Sequence, residues 1–220
     1  MERTATREGS PVRLGLTGGI GAGKSTVAAI WRERGLRVVD LDAHSRAVLD
    51  VPGAGVEEAI ARFGEEYRQD SGTVDRAALA RLVFADPGAR ADLEAIVLGR
   101  VDEAVAAEEV QAREAGEGVV VHDSPLLLEK RHDAGDRYAA VVAVLARRED
   151  RIDRVVRDRG RERGYAESVM AAQVSDLERI RRADRLVLNT GDEQVLRGRA
   201  LHALEAVLAE LGVSSVGPAT

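Results

Sequence analysis

The stretch Gly18-Gly19-Ile20-Gly21-Ala22-Gly23-Lys24-Ser25-Thr26 decides the fold of this chain. It matches the pattern G-x-x-x-x-G-K-[ST], in which glycines let the backbone curl so that successive N–H groups face phosphate oxygens. An apolar run at residues 12–17 precedes the stretch, and a helical pattern at 24–34 follows it. The start of that helix adds unpaired N–H groups and the positive end of a dipole. We therefore predict a strand, a phosphate-binding loop and a helix in this order.

The side chains of this loop have candidate roles toward a nucleotide. Lys24 supplies a mobile charge for the β- and γ-phosphates, Ser25 a hydroxyl for Mg²⁺, and Thr26 a hydroxyl near the α-phosphate. The nucleotide contacts are expected from Gly19, Gly21, Ala22, Gly23, Lys24, Ser25 and Thr26. The alternative is a glycine-rich turn that matches by chance. The flanking strand and helix argue against chance, as does the placement here of one of only two lysines in the chain.

Composition excludes several classes of protein. The chain of 220 residues has a net charge of −6, which argues against binding nucleic acid through phosphate neutralisation. It has no cysteine, so disulfides, thiolate catalysis and cysteine zinc sites are excluded. No apolar run approaches the roughly 18 residues that a membrane span needs. We expect a cytoplasmic protein with a small-molecule substrate and no nucleic-acid or membrane partner, and we favour a monomer.

Short apolar runs alternate with amphipathic helical segments along the chain. The runs that we predict as strands are 12–17, 37–40, 119–123, 139–146 and 185–188. This alternation indicates an α/β fold, in which helices cover a five-stranded parallel sheet.

Two segments depart from the alternation. The helical block at 54–114 is the candidate for an insertion that binds the second substrate, the acceptor of a phosphoryl group. The arginine-rich stretch at 157–163, whose arginines flank Gly160 and Gly164, leads us to predict a lid at about 157–168. A helix is predicted at 166–182. One domain is predicted to span 12–213, between tails at 1–11 and 214–220.

The choice among nucleotide-binding classes follows from missing motifs. A GTPase needs an Asn/Thr-Lys-x-Asp motif to read guanine, but neither lysine lies in one and the only asparagine is Asn189. The chain is also too short for a motor or a large ATPase. The small size, the helical insertion and the arginine-rich segment favour a small-molecule kinase of the P-loop type, with ATP and Mg²⁺ as cofactors.

Three aspartates lie at the carboxyl ends of predicted strands, at the edge where open α/β sheets bind their ligands. Asp40 ends the second strand and Asp42 follows it, and Asp123 ends the third. Asp40 and Asp42 are candidates for a proton acceptor or a water-mediated metal contact, and Asp123 for the metal shell. They are equally the kind of residue that caps a helix, so the sequence leaves a structural alternative open.

The chain resembles the dephospho-CoA kinase family over nearly its whole length. Beside the loop, the matching pieces are Val38-Val39-Asp40-Leu41-Asp42 with Arg46, Phe63-Gly64, Gly72-Thr73-Val74-Asp75-Arg76, Val83-Phe84-Ala85-Asp86-Pro87, Asp123-Ser124-Pro125-Leu126-Leu127-Leu128-Glu129, Arg154-Val155-Val156-Arg157-Asp158, Ala171-Ala172-Gln173, and Ala183-Asp184 with Asn189-Thr190-Gly191. The pair D-x-D and P-L-L-x-E is the most selective part.

The resemblance implies an ATP-dependent phosphorylation of the 3′-hydroxyl of dephospho-CoA, the last step in making coenzyme A. It implies that Asp42 is the proton acceptor and that the lid arginine Arg157 stabilises the transferred phosphoryl group. The remaining implied contacts are Asp40, Asp123 and Ser25 for the metal, Arg46, Arg76, Leu126 and Glu129 for the acceptor, and Asn189 for adenine. A solvated charged helix end is the alternative for Arg157, and ordinary core packing is the alternative for Leu126.

The sequence departs from the family pattern on the acceptor side. Leu98 and Gly99 stand where the family usually carries a His-Pro pair, and Ser71 and Ser124 replace a usual aspartate and a usual apolar residue. Two alternatives therefore stay open. One is a kinase for another nucleotide or a small alcohol, and the other is an ATP-binding protein without turnover.

Overall fold

The computed structural model describes residues 10–129 and 137–213. Its strands are β1 (Val12–Gly18), β2 (Arg37–Asp40), β3 (Val119–Asp123), β4 (Ala140–Leu145) and β5 (Arg185–Leu188). All five were predicted, with bounds within one residue of those observed. The predicted tails at 1–11 and 214–220 lie outside the described residues, except for residues 10 and 11.

The strands form one sheet in the order β2-β3-β1-β4-β5. β1 pairs in parallel with both β3 and β4, and β4 pairs in parallel with β5. The register aligns Leu16 with Asp123 and Gly18 with Val144, so the carboxyl ends of the central strands reach the same edge. The predicted five-stranded parallel sheet with covering helices is confirmed.

Helices connect the strands. They are α1 (Lys24–Glu33), α2 (Leu41–Asp50), α3 (Ala54–Phe63), α4 (Arg76–Ala85), α5 (Pro87–Glu114), α6 (Arg148–Arg159), α7 (Arg163–Ala172), α8 (Asp176–Arg182) and α9 (Glu193–Glu210), with a 3₁₀ turn at Glu65–Tyr67. Several of them are followed by a glycine with positive φ, among them Gly35 after α1 and Gly160 after α6.

The prediction of one helix over 166–182 is wrong, because the chain leaves the helix between α7 and α8. Gln173 is extended, with φ −88° and ψ 156°, and Ser175 caps α8 by accepting a hydrogen bond from the N–H of Glu178. The N–H of Val174 donates to Glu129 Oε2 at 2.8 Å. The break therefore places three residues where they contact other elements.

The core lies at the centre of the sheet. Every residue of β3 and β4 is buried, as expected for central strands of a parallel sheet. α1 and α9 pack on this core, and the buried Trp31 of α1 donates its indole N–H to the carbonyl of Ala200 at 2.9 Å. This packing anchors the helix that follows the glycine-rich loop.

The chain divides into two compact units. The first, the P-loop unit, comprises residues up to Val39 and from Gln111 onward, and the second, the inserted unit, is Asp40–Val110. The inserted unit has its own apolar core, which includes Val56, Ile60 and Leu79. Among the described residues, no helix combines the length and apolar character that crossing a membrane requires.

Candidate active site

The glycine-rich loop joins β1 to α1. β1 ends at Gly18 and α1 begins at Lys24, with Gly23 at its N-terminal cap. Gly21 and Gly23 have φ of 72° and 95°, a region that residues with a Cβ rarely adopt. The first N–H groups of α1 have no carbonyl of their own helix to bind, so they are available to an anion. The predicted strand, loop and helix are thus present in order.

Three successive carbonyls of the loop are held from outside by side chains of the P-loop unit. Ile20 O accepts from Arg151 Nε at 2.9 Å, Gly21 O from Arg154 Nη1 at 3.1 Å, and Ala22 O from Asn189 Nδ2 at 2.9 Å. The C=O and N–H groups of a trans peptide point in opposite directions. Holding these carbonyls outward therefore turns the N–H groups of Gly21 and Gly23 toward the inside of the loop. The N–H of Ala22 donates to the carbonyl of Gly19 at 3.0 Å and closes the turn.

Lys24 forms an ion pair with Asp123 in this structure. The strand register explains the contact, because Asp123 ends β3 beside Leu16, just before the loop begins. Asp123 is 4% exposed in its side chain and Lys24 is 17% exposed. The two groups meet at the carboxyl edge of the sheet, where ligands of open α/β folds bind. Ser25 and Thr26, at the start of α1, are exposed.

The predicted acceptor-side residues belong mainly to the inserted unit. Asp40 caps α2 by accepting a hydrogen bond from the N–H of Ala43 at 2.9 Å. Asp42, in the first turn of α2, forms an ion pair with Arg46 one turn later. Arg76 pairs with Asp50 at 2.9 Å. The capping alternative is therefore observed for Asp40, whereas the carboxylate of Asp42 is exposed and paired with an arginine.

The predicted lid consists of the end of α6, the turn at Gly160 and the start of α7. Arg157 is exposed and pairs with the adjacent Asp158 at 2.7 Å, a hydrogen bond that raises the pKa of Arg157. In this state its guanidinium faces solvent. Ala166 of α7 lies in one buried apolar cluster with Ile20 and with Ile152 and Val155 of α6. The lid helix and the glycine-rich loop thus share a small apolar core.

The structure also shows the surroundings of three more predicted ligand contacts, Glu129, Asn189 and Leu126. Glu129 is engaged through both oxygens, accepting from Arg179 Nη2 at 3.0 Å and from the N–H of Val174. The amide of Asn189 holds the loop, so it has a partner other than the predicted adenine. Leu126 is 51% exposed, which the alternative of ordinary core packing does not explain.

Sequence reasoning missed Arg151, which holds the Ile20 carbonyl, and Arg179, which pairs with Asp176 behind it. Arg151 is 5% exposed and Arg179 is 1% exposed. Burial lowers the pKa of Arg151, while the carboxylate of Asp176 opposes that shift. A signal for Arg151 was present, because it lies in the buried stripe of α6 beside Ile152 and Val155. A cation in an apolar stripe needs a partner, and that requirement could have singled it out.

The donor chemistry at the sheet edge suits Mg²⁺. The hydroxyl of Ser25 and the carboxylate of Asp123 are oxygen ligands, which this ion prefers. Residues 10–129 and 137–213 contain no group of three or more His, Cys, Asp or Glu side chains that could hold a metal ion. Mg²⁺ commonly takes one or two protein ligands, with water and substrate phosphates completing its coordination.

A phosphate loop with outward-held carbonyls, a lysine at its end and an aspartate on the neighbouring strand form the nucleotide site of a P-loop protein. The sequence model of the dephospho-CoA kinase family matches residues 12–194. The chain belongs to the dephospho-CoA kinase family.

Individual relatives agree with this assignment. The dephospho-CoA kinase of Anaeromyxobacter dehalogenans is 43% identical, over 85% of this chain and 88% of its own length. That of Deinococcus radiodurans is 41% identical, over 93% of this chain and 94% of its own. A solved structure from Thermus thermophilus has a TM-score of 0.75 and 38% identity, and covers 92% of this chain and 98% of that one.

Proposed function

We propose that this chain transfers the γ-phosphoryl group of ATP to the 3′-hydroxyl of dephospho-CoA, which gives coenzyme A and ADP. The observation that carries the proposal is the row of three outward-held carbonyls at residues 20–22, with Lys24 at the end of the loop. This arrangement directs N–H groups to where a polyphosphate binds. Membership of the dephospho-CoA kinase family supports the choice of acceptor.

On the phosphate side, the loop binds and neutralises the nucleotide. Lys24 leaves its ion pair with Asp123 to contact the β- and γ-phosphates, and the first N–H groups of α1 bind phosphate oxygens. Ser25 and Asp123 would hold Mg²⁺, which neutralises phosphate charge when it is bound. Asp40 is a candidate for a water-mediated contact in the same shell.

On the acceptor side, Asp42 accepts the proton of the attacking hydroxyl. The acceptor oxygen forms a bond to the γ-phosphorus while the bond from that phosphorus to the bridging oxygen of ADP breaks, and the proton moves to a carboxylate oxygen of Asp42. Arg46 orients this carboxylate through their ion pair. We assign Arg46, Arg76 and Leu126 to the acceptor, and we assign Glu129 to holding Arg179 instead.

The lid contributes charge during transfer. Arg157 would exchange its neighbour Asp158 for the transferred phosphoryl group, whose developing charge a guanidinium stabilises. Closing arginines over ATP would also exclude water and so suppress hydrolysis.

The experiment measures ADP release and coenzyme A formation from ATP, Mg²⁺ and dephospho-CoA. Asp42→Asn should lower kcat by about 10²-fold or more, as expected when a general base is lost. Asp92→Asn is the matched control, because Asp92 also pairs with an arginine of the inserted unit and both aspartates are 45% exposed. The control should keep the wild-type rate.

Three results would count against the proposal. If the wild type forms no coenzyme A but releases ADP with another nucleotide or a small alcohol, the acceptor is wrong. If it binds ATP and turns over no acceptor in the panel, it is an ATP-binding protein without catalysis. If Asp42→Asn keeps its rate, another group accepts the proton. We also propose that the protein is cytoplasmic and monomeric. Light scattering of the purified protein tests the oligomeric state.

A further inference from the structure

Ile20 is held on both sides of its backbone by residues outside the loop. Its N–H donates to Gln173 Oε1 at 2.9 Å, and its carbonyl accepts from Arg151 Nε at 2.9 Å. Gln173 lies at the end of α7 and Arg151 on α6. The two peptide groups flanking Ile20 are therefore fixed by side chains from two different helices.

Arg151 is fixed in turn by a balanced set of charges. Its Nη1 donates to both carboxylate oxygens of Asp176 at 3.0 Å. Asp176 also accepts from Arg179 at 3.2 Å, and Arg179 donates to Glu129 at 3.0 Å. Two cations and two anions thus alternate behind the loop. Burying guanidinium groups is costly without such partners, so the set holds Arg151 in one orientation.

The backbone conformation of the loop does not by itself fix the orientation of the peptide between Ile20 and Gly21. The peptide between Ile20 and Gly21 precedes a glycine with φ 72°, and glycine occupies positive and negative φ about equally well. If the Ile20 carbonyl were released, the peptide could rotate and turn the Gly21 N–H away from the phosphates. The hydrogen bond from Arg151 opposes that rotation.

We propose that Arg151 is a positioning residue for nucleotide binding, which holds the Ile20 peptide so that the Gly21 N–H faces the phosphates. Asp176 orients Arg151, and Gln173 holds the other peptide of Ile20. The proposal rests on the proposed kinase function. By this proposal, α6 and the segment from Gln173 to Arg179 raise the affinity for ATP and ADP by holding the backbone of the loop.

The experiment compares Arg151→Met with Arg151→Lys by calorimetric binding of ADP and of dephospho-CoA. Arg151→Met removes the donors at similar length, and Arg151→Lys keeps the charge and one donor. A hydrogen bond from a charged group is worth about 1.5–3 kcal/mol, so Arg151→Met should raise the Kd of ADP about 10–100-fold. Arg151→Lys should recover part of this loss. The Kd of dephospho-CoA should stay within about twofold, as for a substitution remote from that ligand.

Arg148→Met is the control on the same helix. Arg148 is 56% exposed and pairs with Glu149 and Glu167, away from the loop. Its substitution should leave both Kd values within about twofold of the wild type. Asp176→Asn provides a second test if Arg151→Met does not fold, because Asp176 is 40% exposed and asparagine keeps its shape. It should raise the Kd of ADP and the KM of ATP, with the KM of dephospho-CoA unchanged.

The outcomes separate this proposal from the kinase function. An unchanged Kd of ADP in Arg151→Met and Asp176→Asn would overturn it, even when the wild type is an active kinase. Equal weakening of ADP and dephospho-CoA would also overturn it, because that pattern belongs to a general loss of structure. If the wild type itself binds no ADP, that result contradicts the proposed kinase function and, with it, this inference.

Discussion

Replacing Gly23 by alanine tests the close fit between the loop and the side chains behind it. Gly23 has φ 95°, and a Cβ at this position would lie 2.2 Å from Asn189 Nδ2. That nitrogen donates to the carbonyl of Ala22 at 2.9 Å. Alanine therefore faces both an unfavourable backbone conformation and a side chain that must move away and lose a buried hydrogen bond.

Both contributions can be given a magnitude. A left-handed conformation costs a residue with a Cβ about 1–2 kcal/mol. Displacing Asn189 costs about 1–2 kcal/mol, between the net worth of a hydrogen bond and the penalty for an unpaired buried carbonyl. We expect Gly23→Ala to lower the free energy of unfolding by about 2–4 kcal/mol, and Tm by about 4–16 °C for a chain of this size.

The assay is thermal unfolding followed by circular dichroism, with two comparison variants. Gly160→Ala is the control for the backbone contribution, because Gly160 has φ 59° and a Cβ added there would meet no atom of the described residues within 4 Å. It should cost only about 1–2 kcal/mol. The double variant Gly23→Ala/Asn189→Ala removes the group that the new methyl would meet.

In the Asn189→Ala background, Gly23→Ala should therefore cost only its backbone contribution. The two substitutions should be less than additive by about 1–2 kcal/mol, as for residues in direct contact. Additivity within about 0.5 kcal/mol would show that Asn189 does not confine Gly23, and the reasoning from this contact would be refuted.

Two further predictions concern charge pairs of the P-loop unit. Arg179→Met should lower the free energy of unfolding by about 3–5 kcal/mol in urea, because it leaves Glu129, whose side chain is only 13% exposed, without its cation. Arg179→Met/Glu129→Met should recover part of that loss. The hydrogen bond from Arg163 lowers the pKa of Glu149 below its ordinary value of 4.5. That pair therefore stabilises the fold above pH 4.5 and loses its effect as the pH falls through the lowered value. Glu149→Gln should flatten the dependence of Tm on pH in this acid range, and identical profiles would contradict the pairing.

The fold was predictable because its signals are local. The strands are short apolar runs, and the loop at residues 18–26 has one physical use between a strand and a helix. The break at Gln173 was missed because no proline or glycine lies there. The local signal was Ser175 with Glu178, the Ser-x-x-Glu pattern that starts a helix. Contacts distant in sequence also hold the break, since Val174 and Gln173 bind Glu129 and Ile20.

The residues on the ligand-binding side of the loop were predicted from the sequence, and the side chains that support the loop from behind were not. Lys24 and Asp123 are charged groups at strand and loop ends, positions that indicate ligand binding. Arg151 lies in the apolar stripe of α6, so its position in the helix carries a signal that was not used. Arg179 lies among several arginines of α8, and only the tertiary structure shows that it loses contact with water. Asn189 illustrates the same point, because its position was noticed and its partner in the loop was not.

The side of the loop that faces Arg151 provides a second physical reason why glycines are needed in the loop. A Cβ on Gly19 would lie 2.3 Å from Arg151 Nη2, and one on Gly21 would lie 2.4 Å from the Arg151 carbonyl oxygen. Access for phosphate explains small residues on the inner side of the loop, but these contacts are on the other side. The loop therefore has to be thin in both directions, so that side chains from α6 and from the end of β5 can reach its carbonyls. The glycines that admit phosphate are for this reason also the residues that let the rest of the fold set the direction of the amides.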